Sequence, residues 1–389
     1  MADGGTCLPD DVLVQIFLLV PTWFRRPLRL VCKGWRTVID ERAPPEDNLP
    51  AKILIFINHG RTSRALVFDG SSQLRDRTWT YTSSSDGGSV RMVGTCNGLL
   101  CLHDHTVTVT NPVTGDTAAL PPVQTTRWSQ GQFAKAPGHY SFGFHRETKL
   151  HKVVYIPRGN RRSLDALQVF TLGGKAGWRE VLVPVRGACH ILIGEPVSVA
   201  GATYWLAAGA ASRVMALDLG EDERVTSLDA PTRLAGLRDT SWRLTKVGAS
   251  LGVVVPSPGM PLGRADVWVL DVDGGGGGAG KPRPQWSRRY SVAENIWSSW
   301  IVAPQLTHGD YVLSEWHGWN SARWRKISPE LHRHEVGELA GGGGGDDGWR
   351  WQLPPANGKQ LIVSTEELEG DEVTTFAYVE TRNPVPRNK

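Results

Sequence analysis

Few stretches of this 389-residue chain place reactive residue types at a spacing that chemistry could use. Gly248-Ala249-Ser250-Leu251-Gly252 matches G-x-S-x-G, but a nucleophilic serine in that motif needs a strand-to-helix elbow. Val253-Val254-Val255-Pro256 follows instead, which predicts a second strand and makes the motif a hairpin turn. Gly275 to Lys281 spells G-x-x-x-x-G-K, with Pro282 where a phosphate loop needs Ser or Thr for its Mg²⁺. His103 and His105 are two residues apart, as are His332 and His334, so each pair would share a strand face. Neither pair has a third and fourth ligand nearby, and solvated histidines are expected. Glu221-Asp222-Glu223 and Glu366-Glu367-Glu369 lie in polar runs and read as acidic turns. General acid–base work would need an apolar pocket to split their pKa values. No catalytic set, metal site or cofactor site is expected.

The remaining concentration is aromatic. Trp286, Trp297, Trp300, Trp316, Trp319, Trp324, Trp349 and Trp351 make up half of the 16 tryptophans. Aromatic residues are enriched where interfaces bind most tightly. Trp316-His317-Gly318-Trp319-Asn320 reads as a turn, which makes Trp316 and Trp319 candidates for contact with a target. Packing between sheets is the competing account, because Trp is largely buried on average.

Two kinds of element must carry these residues. At the start, Pro9 suits the first turn of a helix, and Asp10 and Asp11 favour its positive end. Val12, Leu13, Ile16, Phe17 and Val20 then recur at helical spacing, with Leu18 and Leu19 widening the stripe, until Pro21 ends it. A second helical pattern begins near Pro27, with Leu28, Val31, Cys32, Trp35, Val38 and Ile39 on one face, and stops at Pro44-Pro45. Gly34 inside it costs about 1 kcal/mol relative to Ala. Some 40 residues cannot bury a full core alone, so the module needs a neighbour or a partner. The acidic residues before the apolar run argue against a signal peptide. The run is also too short, and interrupted by Gln15, to span a membrane.

From about residue 51 the helical period gives way to short Val/Ile/Thr/Phe/Trp runs between Gly, Pro, Asn and Asp turns. They group into units near 51–81, 91–122, 140–185, 195–231, 242–292 and 305–337, with a closing piece at 351–382. This spacing of about 40–50 residues is the range of propeller blades. A closed ring would pair Ile53–Ile57 with late strands such as Phe376–Val379. A large β-sandwich is the second possibility. The expected fold is thus a small all-α module followed by a large all-β domain of propeller type. The organisation is 1–43 helical module, 44–50 Pro-rich linker, 51–382 β domain and 383–389 polar tail. The runs Gly274–Gly278 and Gly341–Gly345 read as loop insertions. A net charge of +4, evenly spread, argues against nucleic acid as partner. Five cysteines without a CxxC pair fit a reduced, intracellular chain.

Residues 8–39 resemble an F-box: Leu8, Pro9, Asp11, Pro21, Val31, Cys32, Lys33, Trp35, Arg36, Val38 and Ile39 match its pattern, including the gap from Pro21 to Cys32. Arg25 and Arg26 stand where the family carries leucines. Thr95-Cys96-Asn97-Gly98-Leu99-Leu100-Cys101-Leu102, Asn111-Pro112-Val113-Thr114-Gly115 and Leu120-Pro121-Pro122 are similar to the start of the plant F-box-associated domain. Tyr378-Val379-Glu380-Thr381 is similar to its closing motif. In physical terms these are turns and strands, and Trp178 and Trp205 are expected between blades. The resemblance implies a kelch-like β-propeller and a substrate receptor of an SCF-type ubiquitin ligase, in nucleus or cytoplasm, that supplies no catalytic group. It implies that Leu8, Pro9, Val12, Leu13, Ile16, Phe17, Val20, Pro21, Leu28, Val31, Cys32 and Trp35 contact an SKP-type adaptor, and through it a cullin–RING ligase. The propeller would then hold an unidentified target protein. A propeller binding a protein or glycan outside any ligase remains the alternative.

Overall fold

The computed structural model describes residues 9–19, 28, 30–39, 51–68, 75–84, 88–123, 138–157, 164, 166–175, 177–183, 191–208, 213–231, 242–256, 264–271, 284–293, 299–308, 311–320, 325–326, 330–335, 359–363 and 372–388. Among the described residues, the chain opens with the helices α1 (Asp10–Leu19) and α2 (Lys33–Thr37). The described strands that follow pair almost entirely antiparallel. The strands follow as β1 (Lys52–His59), β2 (Thr62–Phe68) and β3 (Arg75–Thr82); then β4 (Arg91–Cys96), β5 (Leu99–Asp104), β6 (Thr106–Thr110) and β7 (Thr117–Ala119). The third group is β8 (His139–His145), β9 (Leu150–Ile156), β10 (Ala166–Thr171) and β11 (Trp178–Leu182). The fourth is β12 (Ile191–Val199), β13 (Ala202–Ala208), β14 (Arg213–Asp218) and β15 (Val225–Asp229). Then come β16 (Arg243–Val247), β17 (Ser250–Pro256), β18 (Arg264–Asp271) and β19 (Gln285–Ala293). The last are β20 (Ser299–His308), β21 (Tyr311–Asn320), β22 (Arg325–Lys326), β23 (Glu330–Glu335), β24 (Lys359–Val363) and β25 (Glu372–Tyr378).

These strands form five sheets, four of them four-stranded. The nine-stranded fifth contains β16–β19 and β20–β24, joined by one parallel pair, Val247 opposite Thr307. The inner strands β25, β4, β8, β12, β16 and β20 neighbour one another in that order, and β20 meets β25. The ring is closed, so the protein is a β-propeller and not a sandwich. Closure falls where the sequence predicts it: β25 pairs with β1, with Ala377 opposite Ile53 and Phe376 opposite Leu54. The strands of the second, third and fourth sheets each follow one of the expected units to within a few residues, whereas the first sheet takes in β25 from the end of the chain and the nine-stranded sheet spans more than one unit.

The core is a series of apolar layers between sheets. In β1, Ile53, Ile55 and Ile57 join one layer while Leu54 and Phe56 join the next. Alternate residues point to opposite faces of a strand, and a blade is covered on both. That is why the strand reads as an unbroken apolar run. Trp178 lies in the layer between the second and third sheets, and Trp205 in the layer between the third and fourth, as expected.

Three local expectations change. The helix that carries Trp35 starts at Lys33: of the stretch from Pro27, Leu28 is helical and Leu30 and Val31 form a turn, while Pro27 and Arg29 lie outside the described residues. Cys32 has extended backbone (φ −159°, ψ 168°) and its Sγ accepts from Trp35 N–H at 3.4 Å, capping the helix. Gly34 thus sits in the first turn of the helix. His103 and His105 do not share a strand face, because β5 ends at Asp104 and His105 adopts φ +55° in the turn. Residues 316–320 are strand, not turn: β21 runs through Asn320, with Trp316 opposite Glu330 and Trp319 opposite Lys326. Aromatic residues are enriched in strands, so the Trp-rich run suits a pleated ladder as well as it suits a turn.

Candidate functional site

Helix α1 begins with the Pro9 carbonyl accepting from Val12 and Leu13 N–H at 3.0 and 3.1 Å. Leu13 and Phe17, four apart, turn inward and meet Val38. Phe17 packs edge-on against Trp35, with ring centroids 5.2 Å apart at 75°. Val14, Leu28 and Ile39 complete this small core. The residues immediately before the two inward anchors stay out: Val12 is 42% exposed and Ile16 40%. In the turn before α2, Leu30 is 78% exposed and Val31 60%.

The twelve expected contact residues therefore divide. Pro9, Val12, Ile16, Val31 and Cys32 are exposed. Leu13, Phe17 and, in part, Leu28 and Trp35 are consumed by the module's own packing. Leu8, Val20 and Pro21 lie outside the described residues, as do Arg25 and Arg26. Helical periodicity identifies an apolar stripe but cannot separate its inner edge from its outer one. Leu30 was missed by that reasoning. Its signal was an apolar residue off the helical period, beside Val31 in a turn. The candidate docking surface is thus Val12 and Ile16 on one face of α1 plus Leu30 and Val31 on the turn before α2, apolar side chains that take no part in the module's small core.

On the propeller, the recurring motifs turn inward to closure. Asn97 (φ +49°) and Gly98 (φ +77°) form the hairpin between β4 and β5, a turn that requires positive φ at both central residues. A Cβ on Gly98 would stand 2.6 Å from the Val379 carbonyl and 2.4 Å from Thr381, so only glycine lets the closing motif pass. Asn111 Oδ1 accepts from Val113 and Thr114 N–H at 2.9 and 3.3 Å. Its Nδ2 donates to the carbonyls of Thr381 and Asn383 at 3.1 and 2.7 Å. Two neighbouring turns and a closing motif some 270 residues further on thus converge on one seam. The stretch after residue 382 is not a free polar tail: Val385 is buried, and Asp116 accepts from its N–H at 2.8 Å.

Other reactive types also serve packing. Ser250 opens β17 after the Gly248-Ala249 turn, as the hairpin reading requires. Glu223 is buried, which the acidic-turn reading missed; its Oε1 binds Lys152 Nζ at 2.7 Å and also Arg179. Lys152 Nζ additionally donates to the Gly220 carbonyl at 2.8 Å, tying the third sheet to the fourth. The only sequence trace of this was an isolated lysine in an apolar strand. His103 lies over Tyr140 at 4.8 Å, and Tyr140 over Tyr155 at 4.9 Å. Burial, then the Arg91 charge, holds His103 below its ordinary pKa, and burial pushes the Tyr140 hydroxyl up to about 12. Burial raises the Asp104 carboxyl, but the Ser84 N–H and the Ser83 and Ser84 hydroxyls outweigh it and hold the group low. Among the described residues no three His, Cys, Asp or Glu side chains gather to hold a metal, and no helix is long and apolar enough to cross a membrane. The side chains of Trp316, Trp319, His332 and His334 lie outside the described residues.

Comparison with known proteins agrees with both halves. The F-box domain family matches residues 6–45, and the F-box associated beta propeller domain family matches residues 53–306. F-box protein At3g07870 of Arabidopsis thaliana is 25% identical over 333 residues, covering 74% of this chain and 73% of that protein. F-box/LRR-repeat protein At2g43260 of the same plant is 24% identical over 305 residues, covering 73% and 66%. A further Arabidopsis F-box relative, 27% identical over 235 residues, is spanned over 50% of its length and 58% of this chain. Among solved structures the phage phi92 endosialidase aligns at 11% identity with a TM-score of 0.33, over 80% of this chain and 56% of that one. The chain belongs to the plant F-box proteins that carry an F-box associated β-propeller domain.

Proposed function

We propose that the chain is the substrate-recognition subunit of an SCF-type ubiquitin ligase. The helical module docks on an SKP-type adaptor, and the propeller holds a target protein. The observation that supports it is the division within α1. The module has a core of its own and still leaves Val12, Ile16, Leu30 and Val31 exposed. Burying about four such side chains is worth several kcal/mol at roughly 25 cal/mol per Å², before the costs of association. The chain contributes no reacting group. Its contribution is proximity: a target lysine held beside a charged conjugating enzyme reacts at high effective concentration. A nuclear or cytoplasmic location goes with this reading.

The test is co-purification of the full chain with an SKP-type adaptor, beside a Val12→Asp/Ile16→Asp variant. The wild-type chain is expected to bind. The variant is expected to lose binding at least a hundredfold while its propeller melts unchanged. A wild-type chain that does not bind the adaptor defeats the ligase reading and leaves the propeller as a free-standing binding module.

A further inference from the structure

We propose that the groove between the second and third sheets is a peptide-binding site, filled in cis by residues 383–388, that selects an apolar residue between two prolines followed by arginine. The proposal stands apart from the ligase reading and fails or survives without it.

Val385 is 3% exposed and inserts into the apolar layer between these sheets. Every other described member of that layer comes from β4 to β11 and the segments joined to them. The segment itself belongs to no sheet. Its bonds to the groove are not ladder bonds. They run from side chains and one turn: Asn111 donates to the Asn383 carbonyl at 2.7 Å, and Gly173 N–H donates to Asn388 Oδ1 at 2.7 Å.

Asp116 reads two features at once. One carboxylate oxygen accepts from Val385 N–H at 2.8 Å and the other from Arg387 at 2.9 Å. Pro384 and Pro386 have no N–H, so the Val385 N–H is the backbone donor a Pro-Val-Pro unit can offer, and it is the one bound. Each proline also forces the residue before it into extended backbone. The segment is therefore ordered before it docks, which lowers the entropy lost on binding. An extended Pro-rich strand with an apolar anchor and a charged end is a ligand, held here by tethering. A partner that displaces it carries the same chemistry: Pro, a β-branched residue, Pro, Arg.

The probe is a fluorescent peptide of residues 381–389, TRNPVPRNK, titrated in anisotropy. Its hosts are the full chain, a Val385→Ala/Arg387→Ala variant, and a chain lacking residues 383–389. The full chain is expected to bind at least tenfold more weakly than the altered chains, because the cis segment competes at millimolar effective concentration. Adding Asp116→Asn to an altered chain is expected to cost a further tenfold or more, since a charge-assisted pair is lost. Asp116-dependent binding by either altered chain supports the proposal. Altered chains that melt cooperatively yet bind no peptide, or that both fail to fold, overturn it.

Discussion

In α1, Leu13 and Phe17 are buried while Val12 and Ile16, one residue before each, are exposed. In β1 the alternate residues differ in direction but not in fate: Ile55 and Phe56 are both buried, each in its own layer. The contrast follows from what surrounds each element. A strand inside a ring has a sheet on either side, so both of its faces are covered. The helix has one small partner, so half its apolar stripe is left over. The propeller is finished by its own residues. Among the described residues, the module leaves Val12 and Ile16 uncovered.

The comparison breaks most clearly at the buried charges. Glu223→Ala leaves Lys152 buried with only the Gly220 carbonyl as partner. Breaking a buried pair by removing one member costs roughly 3–5 kcal/mol. Thermal melting should show the propeller destabilised by about that amount, with adaptor capture at low temperature intact. Equal loss of both would mean that the two regions do not fold independently. Phe17→Ala is the mirror image. It removes the ring that meets Trp35 and is expected to cost about 3–5 kcal/mol, enough to melt the module. The propeller transition, followed by near-UV signal, should not move.

Acid sharpens the comparison next. His151 is buried between Phe142 and Phe144, and neither ring nitrogen finds a hydrogen-bond partner among the described residues. Burial alone brings its pKa down from 6.5 to about 4. A histidine that must stay neutral in the fold stabilises it fully above its unfolded pKa of about 6.5. That contribution fades as pH falls to about 4, because the unfolded chain then binds the proton the folded one refuses. The loss is about 3 kcal/mol at pH 4 and below, at about 1.4 kcal/mol per pH unit. Urea titrations of wild type and His151→Phe from pH 7 to 4 should diverge by that amount. Parallel curves would show that the site opens to water.

How much of this was legible depended on whether neighbours in sequence were neighbours in space. The units of the propeller, the closing pair of β1 with β25, and the hairpin at Gly248 were readable, because alternation and turn residues are local signals. The contacts of Lys152 with Glu223 and of Asn111 with Thr381 were not. Lys152 interrupts an apolar strand and Asn111 reads as an ordinary turn residue, but neither names its partner, which is supplied by the next sheet for Lys152 and by ring closure for Asn111. In the helical module the apolar stripe was readable, but its division was not. Leu13 and Val12 look alike in a periodic pattern, and only the position of Val38 and Trp35 decides which of them is covered. That α2 starts at Lys33 was not readable for a related reason: Cys32 caps through sulfur, a weak acceptor that sequence rules for helix starts do not weigh.

The smallest effect tests how sheets are tied to one another at their outer strands. Trp178, first in β11, donates its indole N–H to the Pro121 carbonyl at 2.7 Å, reaching back to the sheet before it. Trp286, second in β19, does the same to the Asp229 carbonyl at 2.8 Å. The two bonds are equivalent in position but not in surroundings, since Trp178 is buried and Trp286 is half-buried with an exposed bond. A phenyl ring keeps much of the packing and drops the donor. Water can replace the donor at Asp229 more readily than at Pro121. Trp178→Phe is therefore expected to cost about 1–2 kcal/mol and Trp286→Phe about 0.5 kcal/mol or less. Chemical denaturation of the two variants measures the difference. Equal costs would mean that exposure does not decide what an indole bond is worth, and costs near zero at both positions would mean that Trp stands there for its area alone.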